Sequence, residues 1–464
     1  MKKFSLLVTL LLILSTVLSA CGAAAPAAEA PAADAPAADA PAADTAPSGE
    51  AVTIEYALWD ANQLPAYQAC ADAFMAANPN ITVNITQSGW DDYWNTIQTG
   101  MVAGTAPDVF TNHLAKYPEF AAKEQLVDIQ PYVDADGVDI GVYLGQLADL
   151  WARDGKRFGL PKDWDTIALV YNQTALDAAG VTLDEVNSAT WDVETGGTFQ
   201  ELIAKLSVDE NGNNGLSPDF DPTKVKQYGL IINGAGEGYG QTEWSWLAAT
   251  TGWRAIDELY ATSYNYDDPR FTGTIQWFAD NMKKGFIMPL EQVTSLGGSA
   301  AFNSGLGALH SNGSWMIGDF VNNATFPFGF ARLPEGPEGR QSMFNGLADS
   351  IWVGTKHPAE AWQWVKYAAS QECADKVGEF GVVFPAQQSA VDKALAAYEA
   401  KGVDVSAFTL QATEPDGTFL FPVTDNASQI SAIMAPAMQS IMLGQAEAAT
   451  VLPAANEEVN AVFQ

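Results

Sequence analysis

Two carboxylates flank a tryptophan at Asp163-Trp164-Asp165, just after Gly159-Leu160-Pro161-Lys162 and just before the run Thr166-Ile167-Ala168-Leu169-Val170-Tyr171. In an extended chain residues i and i+2 face the same way, roughly 7 Å apart at about 3.3 Å rise per residue. Asp163 and Asp165 then project to one side and Trp164 to the other. Acids at that spacing offer two chemistries. They accept hydrogen bonds from the hydroxyls of a bound polyol. Alternatively, they divide the acid and base roles of glycosidic cleavage, whose inverting geometry needs about 6.5–9.5 Å. A pair of solvated loop acids is the plain alternative.

The elements around the pair must hold it in place. Residues 166–171 are apolar and largely β-branched or aromatic, which fits a strand buried on both faces. Upstream, Val52 to Leu58 alternates as a strand and ends at Trp59-Asp60. Leu64 to Asn78 reads as an amphipathic helix stopped by Asn78-Pro79-Asn80, and Ile81 to Thr86 as a second strand. Asp91 to Ala103 is a helix ending at Gly104, and Asp108 to Thr111 a third strand, entered through Ala106-Pro107. Alternating strands and helices predict an α/β fold with a mainly parallel sheet, whose ligands sit beyond the carboxyl ends of the strands. Those ends carry Trp59, Asp60, Asn112 and His113.

The chain has 14 Trp and 14 Tyr, and many stand beside Gly, Asn or Asp instead of inside apolar runs. Examples are Trp59, Trp90 beside Gly89 and Asp91, Trp164, Tyr239 between Gly238 and Gly240, Trp244, Trp246, and Trp315 after Ser314. Any one of them can be a core residue. Together they fit a cleft of flat rings and short polar groups, a surface suited to carbohydrate.

Met1 to Ala20 read as an export signal: Lys2 and Lys3 precede an apolar run too short for a good membrane span. Leu18-Ser19-Ala20-Cys21 resembles a bacterial lipobox, which implies cleavage before Cys21 and lipidation of it. Such an anchor ties a protein to a membrane without spanning it. Residues 21–50 repeat Ala-Pro-Ala-Ala-Asp or its Glu equivalent. A Pro every five residues and no bulky apolar side chain make this a disordered tether. Removal of Lys2 and Lys3 leaves 20 basic side chains against 56 acidic, a net charge of −36. That field disfavours nucleic acid and anionic ligands.

Cys70 and Cys373 lie far apart in sequence, and their pairing stays open. Three histidines and no Cys-x-x-Cys argue against zinc. Asp209, Asn211 and Asn213 sit at positions one, three and five of a possible calcium loop. Asn214 stands where such a loop needs Gly, however, and Phe220 where it needs Glu. An Asn-Gly turn is the simpler reading.

Several stretches, taken in order, resemble the extracellular solute-binding proteins of carbohydrate ABC importers, the maltodextrin-binding-like family. They include FMAANPNITVNI at 74–85, WDDYWNTIQTGMVAGTAPDVFT at 90–111 and GKRFGLPKDWDTIALVYNQTALDAAGV at 155–181. FNSGLGALHSNGSWMIGDF at 302–320, FGFARLPEGPEG at 328–339 and AWQWVKYAAS at 361–370 follow. The resemblance covers nearly all of 52–464. It implies a two-lobed periplasmic-binding-protein fold of type II, with ligand in the cleft and several crossings between lobes. By that analogy one lobe holds 51–160 and 328–370, and the other 161–327 and 371–464. It also implies that Asp165 binds sugar hydroxyls, with Asp163 a weaker partner, and that Asn312 and Trp315 close on the ligand, Trp315 as a stacking platform. Asp349 is either a cleft residue or a hinge cap.

The expected activity is therefore capture of a neutral sugar or oligosaccharide by a lipid-anchored, extracytoplasmic and monomeric protein, followed by delivery to a permease. No catalysis and no required cofactor are expected. The alternatives are the same fold holding a polyamine or peptide, and an exported glycosidase.

Overall fold

The structure, a computed structural model, describes residues 50–464. The export signal, Cys21 and the tether up to residue 49 lie outside the described residues.

The first sheet opens as the sequence predicts. Val52–Leu58 runs parallel to Ile81–Gln87 on one side and to Val109–Asn112 on the other. Between the first two strands lies the helix Leu64–Ala77, which starts at a Pro-containing first turn and buries Tyr67, Cys70 and Phe74 on the sheet. Trp90–Ala103 forms the next crossover helix and ends at Gly104 in the left-handed conformation. The sheet is completed by Ala348–Ile351, antiparallel to Val109–Asn112, and by Leu160–Pro161 at the edge.

The second sheet runs in the order Phe328–Ala331, Ile167–Asn172, Gly307–Gly313, Val225–Ile231, Val208–Asp209. It is mixed: Val225–Ile231 and Gly307–Gly313 pair in parallel, and the other neighbours are antiparallel. The run expected to be buried on both faces is so. Ile167 and Leu169 enter one core, and Ala168 and Val170 enter the other. This follows from the two-residue repeat of a strand covered on both sides.

Two expected lobe boundaries move. Phe328–Ala331 is an edge strand of the second sheet, paired with Ile167–Asn172, and the chain stays in the second lobe through Leu333, which enters its core, and Glu335, which bridges Thr190. The block 371–464 also divides. Gln371–Phe380 packs on Leu64–Ala77 and Gln388–Ala400 packs on Gln371–Phe380, on the first lobe. Ala427–Met442 and Ala448–Ala461 pack on Pro269–Lys283 in the second. Helices carry no strand register that would assign them to a sheet in advance, and only their apolar faces decide where they dock.

A disulfide joins Cys70 to Cys373, with Cα atoms 5.3 Å apart and a sequence separation of 303. It pins the first helix of the chain to the returning segment. Among the described residues no helix is long and apolar enough to cross a membrane.

Candidate functional site

The chain crosses from the first sheet to the second between Pro161 and Ile167, and the opening Asp-Trp-Asp lies in that crossing. Asp163–Trp164 pairs with Phe384–Pro385, and Asp165 bridges Asn345 on the return crossing. A cleft of about 1650 Å³ opens between the sheets, with Asp163, Trp164 and Asp165 in its wall. Drug-sized ligands occupy sites of about 300–1,000 Å³, so this cleft has room for a larger molecule or for closure.

Asp163 is 3 % exposed. Its Oδ1 accepts the Leu347 backbone N–H at 2.9 Å, and its Oδ2 has no partner. Burial raises its pKa to about 6, against the opposing pull of Lys162. Asp165 is also buried. Gln241 Nε2 donates to its Oδ1 at 2.9 Å, and the side-chain amide of Asn345 lies 3.2 Å from its Oδ2. Burial, with the charge of Asp163 adding, pushes its pKa well up.

His113 completes this chain of groups. Its Nδ1 accepts the Ala115 N–H at 3.0 Å. Burial, with Lys116 adding, pushes its pKa down to about 3. The ring is thus neutral and carries its proton on Nε2. That nitrogen lies 3.1 Å from the Asn345 amide end that also meets Asp165. As Nδ2, this end donates to an ionised Asp165 but opposes the Nε2–H. Turned over, Oδ1 accepts from Nε2–H and from a protonated Asp165. The two orientations of Asn345 therefore correspond to the two charge states of Asp165.

Aromatic rings cover the first-lobe wall. Trp59 meets Trp90 edge-on at 5.0 Å and Tyr93 at 5.3 Å, and Trp90 meets His113 at 5.6 Å. Trp90 opens its helix and is 43 % exposed at the cleft. Asp60 lines the cleft, although both its oxygens are engaged, by Asn62 N–H and by Gln63 Nε2. Burial raises its pKa. The expected alternation about Trp164 holds only in part. Its ring stacks on Phe384 at 4.7 Å, yet it too borders the cleft.

From the second lobe come Tyr239, tilted against Phe421 at 4.9 Å, and Trp315. Tyr239 rides on the loop 234–240, which folds tightly over Trp244, and Gln241 directly follows it. Gly240 has a φ of 53°, and a Cβ there would lie 2.0 Å from the Trp244 ring.

Five expected ligand residues do not line the cleft. Trp244 and Trp246 are fully buried, donating through Nε1 to Ala235 O and Thr242 O. They hold the loop from beneath, because indole rings beside glycine can pack on bare backbone. Asn112 Nδ2 donates to Ser350 Oγ, and its Oδ1 accepts the His113 N–H. Asn312 is turned inward: its Nδ2 donates to Ser299 Oγ at 2.9 Å, and its Oδ1 accepts the Gly313 N–H. Asp349 is buried against Lys162, with Nζ 3.0 Å from Oδ1, and the same oxygen accepts from Tyr56 and Thr111. It ties the strand Ala348–Ile351 to the crossing residue.

Asp209 is likewise engaged by its own turn. Its two oxygens accept N–H groups of Asn211, Asn213 and Asp221 and the Asn213 side-chain amide, which leaves a capped turn where a calcium loop was considered.

Asn345, Gln241, Phe421 and Lys116 line the cleft without having been singled out from sequence. Gln241 had a usable signal, since it follows the Gly-rich 234–240 stretch. Asn345 had none, because only the return crossing brings it to Asp165.

Residues 60–373 match the model of the bacterial extracellular solute-binding protein family. A putative binding protein of Brucella abortus is 25 % identical over 432 residues, covering 90 % of this chain and 95 % of that one. The maltotriose-binding protein of Pyrococcus abyssi is 22 % identical over 320 residues, covering 66 % of this chain and 60 % of that one. An ABC substrate-binding protein of Listeria monocytogenes, solved in complex with cycloalternan, shares the fold. Its TM-score is 0.77 at 18 % identity, over 89 % of this chain and 99 % of that one.

Proposed function

Because the chain belongs to the bacterial extracellular solute-binding family, we propose that it captures a saccharide between its two lobes and hands it to an ABC permease. The observation that carries this reading is the meeting, in one cleft, of the Asp163–Asp165 pair with the rings of Trp59, Trp90, Tyr239 and Trp315. Rings take the C–H faces of a sugar, and carboxyls and amides take its hydroxyls. The maltotriose-binding relative supports the same ligand class.

Capture proceeds by closing the lobes about the crossings at 162–166, 342–347 and 401–426, a hinge motion. The first two border the carboxyl pair, so closure and ligand contact act on the same residues. The ligand leaves as it arrived, with no bond made or broken. Cys21 carries the lipid anchor.

The test is a thermal-shift panel of neutral sugars, amino sugars, polyamines and peptides on residues 50–464. A ligand at ~100 times its dissociation constant stabilises by about 2.7 kcal/mol. A sugar recovered intact, with the shift reduced by Trp315→Ala and by Asp165→Ala, supports the receptor. Cleavage of the sugar would instead make it a glycosidase, and a response to polyamine or peptide alone would discard the saccharide.

A further inference from the structure

We propose that the saccharide taken by this cleft bears a protonated amine, which Asp163 holds against the aromatic lining. The inference rests on the saccharide reading above and departs from the expectation of a neutral ligand.

The cleft is short of positive charge. Asp60, Asp91, Glu237, Glu243 and Glu291 line it together with the Asp163–Asp165 pair, and among the described residues Lys116 is its one lysine or arginine. The Lys116 ammonium lies 5.7 Å over the Trp94 ring. Lys162 adjoins Asp163 in sequence, but its three N–H groups are spent on Tyr56, Thr111 and Asp349 at 3.0, 2.7 and 3.0 Å. His113 is neutral.

The two carboxyls of the pair differ in what they lack. Asp165 has amide partners on both oxygens. Asp163 has one backbone donor on Oδ1 and nothing on Oδ2, although that oxygen is buried. With its pKa at about 6, Asp163 is mostly ionised at pH 7. The nearest cation, Lys162, pulls on this charge but is committed to Asp349, and a buried charge so incompletely compensated is costly. A sugar hydroxyl would give Oδ2 a donor but leave the charge standing. An ammonium supplies donor and countercharge together, and aromatic rings such as Trp59, Tyr239 and Trp315 attract cations as well as sugar C–H groups. A polyamine would use the acids alone. The cleft also presents the amides of Asn95, Gln98, Asn233, Gln241, Asn345 and Gln439, whose N–H donors suit hydroxyl oxygens and have no use to an ammonium chain.

The experiment is titration calorimetry of residues 50–464 at pH 7. The probes are glucosamine, galactosamine, mannosamine and the β-1,4 glucosamine trimer, each beside its hydroxyl parent and its N-acetyl form, with spermidine alongside. At least one amine is expected to bind about 10-fold or more tightly than its own parent and N-acetyl form. The advantage should shrink in about 0.5 M NaCl, where screening reaches only a few ångströms. Asp163→Asn should bring the amine to within about 3-fold of the parent measured on the same variant, and Asp163→Glu should retain a preference. If the Asn variant does not fold, the wild-type comparison and its salt dependence decide the matter alone. A parent or N-acetyl sugar that binds as tightly as its amine overturns the inference and leaves the saccharide receptor standing. Binding of spermidine without any sugar, or no response across the panel, overturns both.

Discussion

The Lys162–Asp349 pair is 2 % exposed on both sides and feeds Tyr56 and Thr111. Removing one partner leaves a buried charge, so Lys162→Met should cost about 3–5 kcal/mol in chemical denaturation. Adding Asp349→Leu to that variant should recover much of the loss. Asp163 makes a second residue-scale prediction. Its folded pKa, about 6, lies above its ordinary value of 3.8. Protonation therefore favours the folded state, and this contribution is full below about pH 4 and lost as pH rises through 6. His113 acts with the opposite sign: its folded pKa of about 3 makes its contribution present above 6.5 and lost as pH falls. The two overlap, so the clean measurement is a difference. The stability of Asp163→Asn relative to wild type should rise from pH 4 to pH 7 by about 2 kcal/mol. A flat difference would mean that the Asp163 carboxyl is open to solvent.

At the scale of elements, the loop 234–240 depends on Gly240 lying flat on Trp244. Gly240→Ala combines a φ of 53° with a Cβ 2.0 Å from the ring. It should cost about 1–3 kcal/mol and, by shifting Tyr239 and Gln241, weaken ligand binding in the same calorimetric titration. The elements that position the first-lobe wall were legible because they are local. The strand at 52–58, its following helix, and the strand buried on both faces at 167–172 are each written in a short repeat of apolar residues. The Asp-Trp-Asp crossing was legible for a related reason, since acids before a core strand need an outlet. What could not be read was set by distant packing. Nothing local distinguishes Trp315 at the cleft from Trp244 beneath it, because both are indoles near glycine. Asn312 and Asn345 are both asparagines at the ends of apolar stretches, and only the folding of two crossings side by side decides which one meets Asp165.

For the molecule as a whole, the Cys70–Cys373 bond closes a loop of 303 residues that contains most of the second lobe. Its loss should cost about 2–5 kcal/mol. Cys70→Ser with Cys373→Ser should therefore melt measurably lower, while ligand affinity at a temperature where both forms are folded stays within about 2-fold. That separation follows because neither cysteine borders the cleft. An affinity that falls with the bond would mean that the docking of the first helix on Gln371–Phe380 controls closure.

The order of strands in the first sheet also dictates a timetable. Ala348–Ile351 lies between Val109–Asn112 and Leu160–Pro161, so the last of these has no neighbour until residue 351 has been made. At about 5–20 residues per second, a ribosome needs roughly 10–50 s to travel from Asn112 to Ile351. Throughout that interval the nascent chain cannot complete its first lobe, and it stays threadable. A polypeptide that has to pass through a translocation channel before it folds gains from a sheet in which an inner strand is filled last.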